Sequence, residues 1–190
     1  MILINYLHIK NWHGVCNYLY IEHFRINLPL GNYQMTDINK EAISVLNDLI
    51  ETSKDGEKGF HTSAEDIKNP AIKAYFMSRS SEIATAVAEL QAEVRALGGD
   101  PETSSSVSGT LHRAWVDLKS TLTGKDDKAI LNEVERGEDV AKKAYKEALE
   151  KAHAHNFPAS VTSLITKQNA GVLATHDKVK ALRDAARAAS

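Results

Sequence analysis

The amino-acid sequence predicts an all-α protein: an antiparallel bundle of four long helices, built as two hairpins joined by one long crossover. Three observations carry this. Apolar residues recur at spacings of three and four along most of the chain from Thr36 onward. Breakers stand where helices must turn, at Asn69-Pro70, Gly98-Gly99, Gly124 and Pro158. The intervals between helices are unequal, with two very short connections around one of roughly 27 residues.

The first helix opens at Thr36, an N-cap residue, with Asp37 favourable to the helix dipole in the first turn. Its apolar positions include Ala42, Leu46, Leu49, Ile50, Phe60, Ala64 and Ile67. Asn69-Pro70 ends it and opens the second helix, because proline suits a first helical turn and disfavours helix in the residue before it. That helix carries Ile72, Phe76, Ile83, Val87, Leu90 and Val94, and stops at Gly98-Gly99. Residues 99–108 read as loop, and a short helix with Leu111, Trp115, Leu118 and Leu122 on one face lies within the crossover. The third long helix runs from about Asp126 to His153 with Ile130, Leu131, Val134, Ala141, Tyr145 and Leu149 inward. The fourth begins at Pro158 and shows Val161, Leu164, Ile165, Val172, Val179 and Leu182. Each long helix spans about 45 Å at 1.5 Å per residue, so the crossover traverses the bundle lengthwise. Two hairpins with one such crossover is the ferritin-like topology.

Composition sets the limits on function. With 190 residues, 43% hydrophobic and 25% charged, the chain suits one ordinary soluble domain. A net charge of −2 is no footprint for nucleic acid. The single cysteine, Cys16, forms no internal disulfide, and no apolar run approaches a membrane span. A cytoplasmic protein is expected. Residues 1–34 differ from the rest: they hold six of the twelve aromatics and no alanine, serine, threonine or aspartate. They are read as a leader outside the domain, without strands, and the domain as residues 35–190 with its natural start at Met35.

Charged residues in apolar phase are the candidate site. Glu57 follows Ile50 by seven and precedes Phe60 by three; Glu138 follows Val134 by four and precedes Tyr145 by seven. Glu82 edges the apolar face of the second helix, Glu135 lies one turn before Glu138, and His176 lies between Val172 and Val179. A buried carboxylate needs a partner, a proton or a metal. Counted along ferritin-like helices, all five fall roughly 14–20 Å below the first hairpin turn, and so at one level. The expectation is that they converge, with Gln168 well away. Gly56-Glu57 and Gly137-Glu138 echo each other, and a glycine within a helix points to close backbone approach or a functional need. His61, His112, His153 and His155 have weaker claims.

The stretches LNDLIETSKDGEKGF, ELQAEVRALGGDPE, GTLHRAWVDLKSTLTGKDDKAIL, NEVERGEDVAKKAY and ATHDKVKALRD resemble an uncharacterised bacterial family of ferritin-like four-helix bundles related to rubrerythrins. Glu138 with Tyr145 also matches the Glu-x6-Tyr spacing on a rubrerythrin metal-site helix. The resemblance covers about residues 37–188 and implies the fold, with no established activity. A carboxylate-bridged dimetal site takes one Glu from each of two helices and Glu-x-x-His from the other two. Here Glu82 has Thr85 at i+3, and the fourth helix has no glutamate, only Gln168 and Asp177.

Two readings follow. One is a non-enzymatic, stress-associated bundle acting through its surface as a homo-oligomer, its polar layer vestigial and paired through His176, Arg79, Arg136 or water. The other is a metal-binding bundle that stores iron or does redox chemistry with iron or another divalent metal at a nonstandard carboxylate and histidine site. No Gly-x-Ser-x-Gly elbow supports nucleophilic catalysis.

Overall fold

The computed structural model describes residues 19–21, 24–26, 31–101 and 126–189, with side chains from Asp37 onward. Two compact units divide the chain, Met1–Asp37 and Ile38–Ser190. In the first, β1 (Leu19–Ile21) and β2 (Phe24–Ile26) form an antiparallel pair with Leu19 opposite Ile26, Tyr20 opposite Arg25 and Ile21 opposite Phe24. No strand was expected in this segment. Its aromatic and β-branched residues fit a pleated ladder, and that propensity was the signal to weigh.

The bundle itself is all-α. Its helices are α1 (Gly31–Asp66), α2 (Pro70–Ala96), α3 (Asp127–Ala154) and α4 (Ala159–Ala188). The expected start at Thr36 is corrected to Gly31. Asn32, Tyr33, Gln34 and Met35 contain no breaker, and the nearest ones upstream are Gly31, where the helix begins, and Pro29. The crossover helix around Trp115 and His112 lies outside the described residues.

Each turn is made as the sequence dictates. Asn69 caps α2, its side chain accepting from the amides of Ala71 and Ile72 with Pro70 as first helical residue. The Asp127 carboxylate accepts from the amides of Lys68 and Asn69 at 2.8 and 3.0 Å. This places the start of α3 beside the α1–α2 turn. Helix α2 ends in a Schellman motif, with Gly98 at φ +83° and bonds from Gly98 N to Arg95 O and from Gly99 N to Val94 O. Helix α3 ends likewise on Asn156 at φ +52°, one of the few residue types that tolerate this conformation, and Phe157 is buried after it.

The core runs the length of the bundle. Leu46, Leu49 and Ile50 from α1 meet Phe76 and Leu90 from α2, Ile130 and Leu131 from α3, and Val161, Ile165 and Val179 from α4, all fully buried. Phe60 and Phe76 pack edge-on with centroids 5.4 Å apart. Each such side chain contributes about 1.5–3 kcal/mol on burial. Side-chain bonds fix the α3–α4 register: Tyr145 meets Gln168, Asp139 meets His176, Glu135 meets Arg183 and Asn132 meets Arg187. Among the described residues, no helix is long and apolar enough to cross a membrane.

Candidate functional site

Halfway along the bundle the apolar stripes are interrupted by polar residues, and a cleft of about 290 Å³ opens there. Helix α1 contributes Thr52, Ser53 and Gly56; α2 contributes Arg79, Glu82, Ile83, Thr85, Ala86 and Glu89. Helix α3 adds Glu138, Ala141 and Tyr145, and α4 adds Lys167, Gln168, Gly171 and Val172.

Tyr145 is the hub of a buried chain of hydrogen bonds. Its hydroxyl donates to Gln168 Oε1 at 2.8 Å. Having spent its one proton, it accepts from Ser53 Oγ at 3.1 Å. Burial raises the phenol's pKa, which keeps that proton in place, although the Ser53 bond opposes the rise. Gln168 Nε2 donates onward to the Ala86 carbonyl at 3.0 Å and to Glu89 at 3.2 Å. Lys167 closes the chain by donating to Glu89 at 2.7 Å, and these donors hold the Glu89 carboxyl below its usual range.

Glu138 and Arg79 sit beside this chain with unmet demands. Glu138 is 5% exposed, and its Oε2 has no hydrogen-bond partner. Burial pushes its carboxyl up to about 7, against the pull of the Arg79 cation and with help from Asp139. Arg79 donates through one terminal nitrogen to Glu82 at 3.0 Å, while its buried Nε donates to nothing.

Of the five residues singled out from the sequence, the fold brings Glu82 and Glu138 to the cleft. Glu135 is buried but turned to Arg183 of α4. His176 is buried between Asp139 and Asp177, 3.1 Å from each. Glu57 is only half-buried, and it is its backbone carbonyl that is engaged, accepting from Ser80 at 3.1 Å. The expected convergence of all five is therefore corrected. Equal height along the axis does not fix the direction about it, and Arg183 and Asp139 engage Glu135 and His176 away from the cleft. Arg136 pairs with Glu133, not with the polar layer. His61 and His155 face Glu65 and Glu41.

Gln168 overturns its expectation outright: it is 8% exposed and lines the cleft. Its signal was present, three residues after Ile165 and four before Val172. Arg79 carried the same mark, three after Phe76 and four before Ile83. Gly56 is under no steric demand, since a Cβ there would meet Ile83 Cδ1 at 3.9 Å, an ordinary contact.

The residues present do not fit a dimetal centre. Among the described residues no group of three or more His, Cys, Asp or Glu stands together as such a centre requires. The cleft places two cationic side chains, Arg79 and Lys167, among its three carboxylates.

Comparisons with known proteins agree with this architecture. Against a ferritin-like diiron-carboxylate protein from Bacillus anthracis str. Ames, the TM-score is 0.61 at 17% identity, covering 77% of this chain and 97% of that one. Bacterioferritin from Desulfovibrio desulfuricans gives 0.64 at 16%, covering 79% and 82%. Dps from Staphylococcus aureus gives 0.62 at 18%, covering 76% and 95%. At these identities the likeness is one of fold, and the fold is the ferritin-like four-helix bundle. No curated protein matches the sequence. Residues 41–151 match the family described as domain of unknown function DUF2383, and the chain belongs to that family.

Proposed function

We propose that this protein is a non-enzymatic ferritin-like bundle, cytoplasmic and stress-associated, whose midpoint is a vestigial carboxylate layer. The observation that carries the reading is the company Glu138 keeps. Of the candidate ligands only Glu82 lines the same cleft, and Glu82 is already bonded to Arg79. A guanidinium next to two carboxylates supplies internally the positive charge that a metal would bring, and it repels a divalent ion at the same place. The bundle then acts through its surface, on which Met77 and Leu173 stand 43% and 40% exposed, as a homo-oligomer.

The test is metal content and metal titration. Protein purified from its own host is expected to carry no stoichiometric iron, manganese or zinc. Titration with Fe(II), Mn(II) or Zn(II) should give the same weak, non-saturating uptake in the natural chain and in Glu138→Ala. Stoichiometric uptake that Glu138→Ala abolishes would establish the other reading, a bundle that stores iron or does redox chemistry at a nonstandard carboxylate site. That reading has one observation in its favour, the unpartnered oxygen of Glu138. Sedimentation of the purified chain reads the oligomeric state, with a species larger than the 20.9 kDa protomer expected.

A further inference from the structure

Two residues lining the cleft have a buried polar atom left over, the acceptor Glu138 Oε2 and the donor Arg79 Nε, whereas the Ser53 and Tyr145 hydroxyls and the Gln168 amide are bonded within the protein. We propose that the cleft is a binding site for a small uncharged molecule of the carboxamide or urea class, whose N–H bonds Glu138 and whose carbonyl accepts from Arg79. The inference rests on the reading above that the cleft is not a metal centre.

The charge pattern selects this class. Arg79 is committed to Glu82 and Lys167 to Glu89, at 3.0 and 2.7 Å, so both cations are already answered and Glu138 is the remaining acid. An anion would meet that excess acid. A cation would answer Glu138 but leave the Arg79 N–H facing another positive charge. A neutral group carrying a donor next to an acceptor meets both demands and adds no charge to a desolvated place. The walls suit the remainder of such a molecule. Ile83, Ala86, Ala141 and Val172 supply apolar surface, and the missing side chains of Gly56 and Gly171 leave room. A volume of about 290 Å³ matches a small ligand, not an extended one.

The test compares butyramide, butyrate and butylammonium, which share a chain and differ in the head group, by ligand-observed NMR and by amide shift mapping of the full chain. Butyramide should bind in the millimolar range and move the resonances of residues 79, 138 and 145 at least as far as any others. Replacing the acceptor by Glu138→Leu should weaken it about tenfold, while Glu138→Gln, which keeps a carbonyl acceptor, should retain it. Thermal melts of both variants check that they fold, and the head-group preference of the natural chain stands independently of them. Stronger binding of butylammonium or butyrate, or no binding by any of the three, would overturn the inference. Tight Fe(II) or Zn(II) uptake at Glu138 in the same preparation would instead overturn the metal-free reading on which it rests. Absence of both metal and butyramide binding would overturn the ligand inference alone.

Discussion

Glu135 and Glu138 lie three residues apart on α3, are 8% and 5% exposed, and meet opposite fates. Glu135 faces Arg183, and the same α3–α4 seam pairs His176 with Asp139 and Arg187 with Asn132. Glu138 has turned toward the cleft, and its Oε2 has no partner. Depth alone therefore does not decide what a buried carboxylate does. On the seam, α4 supplies a donor for the acid α3 presents, so the layer is a structural clasp. In the cleft, α4 supplies Gln168, which is already bonded to Tyr145, and α2 supplies Arg79, which is already bonded to Glu82. An unsatisfied buried group is the expensive kind, and it persists where a fold leaves room for something else to satisfy it.

The sharpest way to break this comparison is one substitution made at both places. The folded chain holds the Glu138 proton up to about pH 7, whereas the usual carboxyl value is 4.5. Between those values the native state binds more protons than the unfolded one, so stability falls as pH rises, and the loss is complete above pH 7. That difference corresponds to about 3 kcal/mol. Glu138→Gln should therefore stabilise the protein at pH 8 by up to about 3 kcal/mol in urea melts and do little near pH 4.5 or below. Glu135→Gln should have the opposite sign at pH 8, because it weakens a pair that is made. If Glu138→Gln destabilises at pH 8, the carboxylate has a partner and the contrast collapses.

Tyr145→Phe is next in size. It removes the hydroxyl that both Ser53 and Gln168 use, and both of those are buried. Stranding two polar groups should cost about 1–3 kcal/mol in chemical denaturation. A loss below about 0.5 kcal/mol would mean that water takes over the network at little cost, so that cleft and seam differ less than the contacts imply.

The architecture was legible in the sequence because helices advertise themselves by period and punctuation. Asn69-Pro70, Gly98-Gly99 and Pro158 mark turns that the structure makes. Among the described residues Ala42, Leu46, Phe76, Leu90, Ile130, Tyr145, Ile165 and Val179 are buried in their expected phase, with Ala141, Leu149 and Leu164 partly buried against them. Glu138 was legible as a buried acid for the same reason. The company it keeps was not. Phase about one helix says that Glu135, Glu138 and His176 face inward, but their directions differ by tens of degrees, and only the neighbouring helix decides which partner each meets. Gln168 was expected well away from the layer, yet its place three residues after Ile165 and four before Val172 puts it in apolar phase as surely as any charged residue. The start of α1 was set five residues late, because Thr36 offers a cap that an uninterrupted helix has no need to use.

Gly171 tests whether the room in the cleft is kept for a reason. A Cβ there would have nothing within 4 Å, and glycine within a helix is about 1 kcal/mol less favourable than alanine. Gly171→Ala should therefore raise stability by up to about 1 kcal/mol while narrowing the cleft. No gain, or a loss, would place an unseen constraint on α4 at this point.

The smallest expected effect belongs to the region most unlike the bundle. A chain beginning at Met35 lacks the β1–β2 pair and the first four residues of α1, Gly31–Gln34. The division between the two compact units falls at Asp37 and Ile38, and among the side chains described, from Asp37 onward, the first buried one is Ala42. The shortened helix is not left without a start. Thr36 followed by Asp37 becomes the natural cap, its hydroxyl available for a freed amide of the new first turn and the acid favourable to the dipole. Losing one turn and gaining one capped terminus should nearly cancel, so the melting transition is expected to shift by no more than that of Gly171→Ala. A chain from Met35 that is insoluble, or that loses several kcal/mol, would show that residues 1–34 complete the bundle's core.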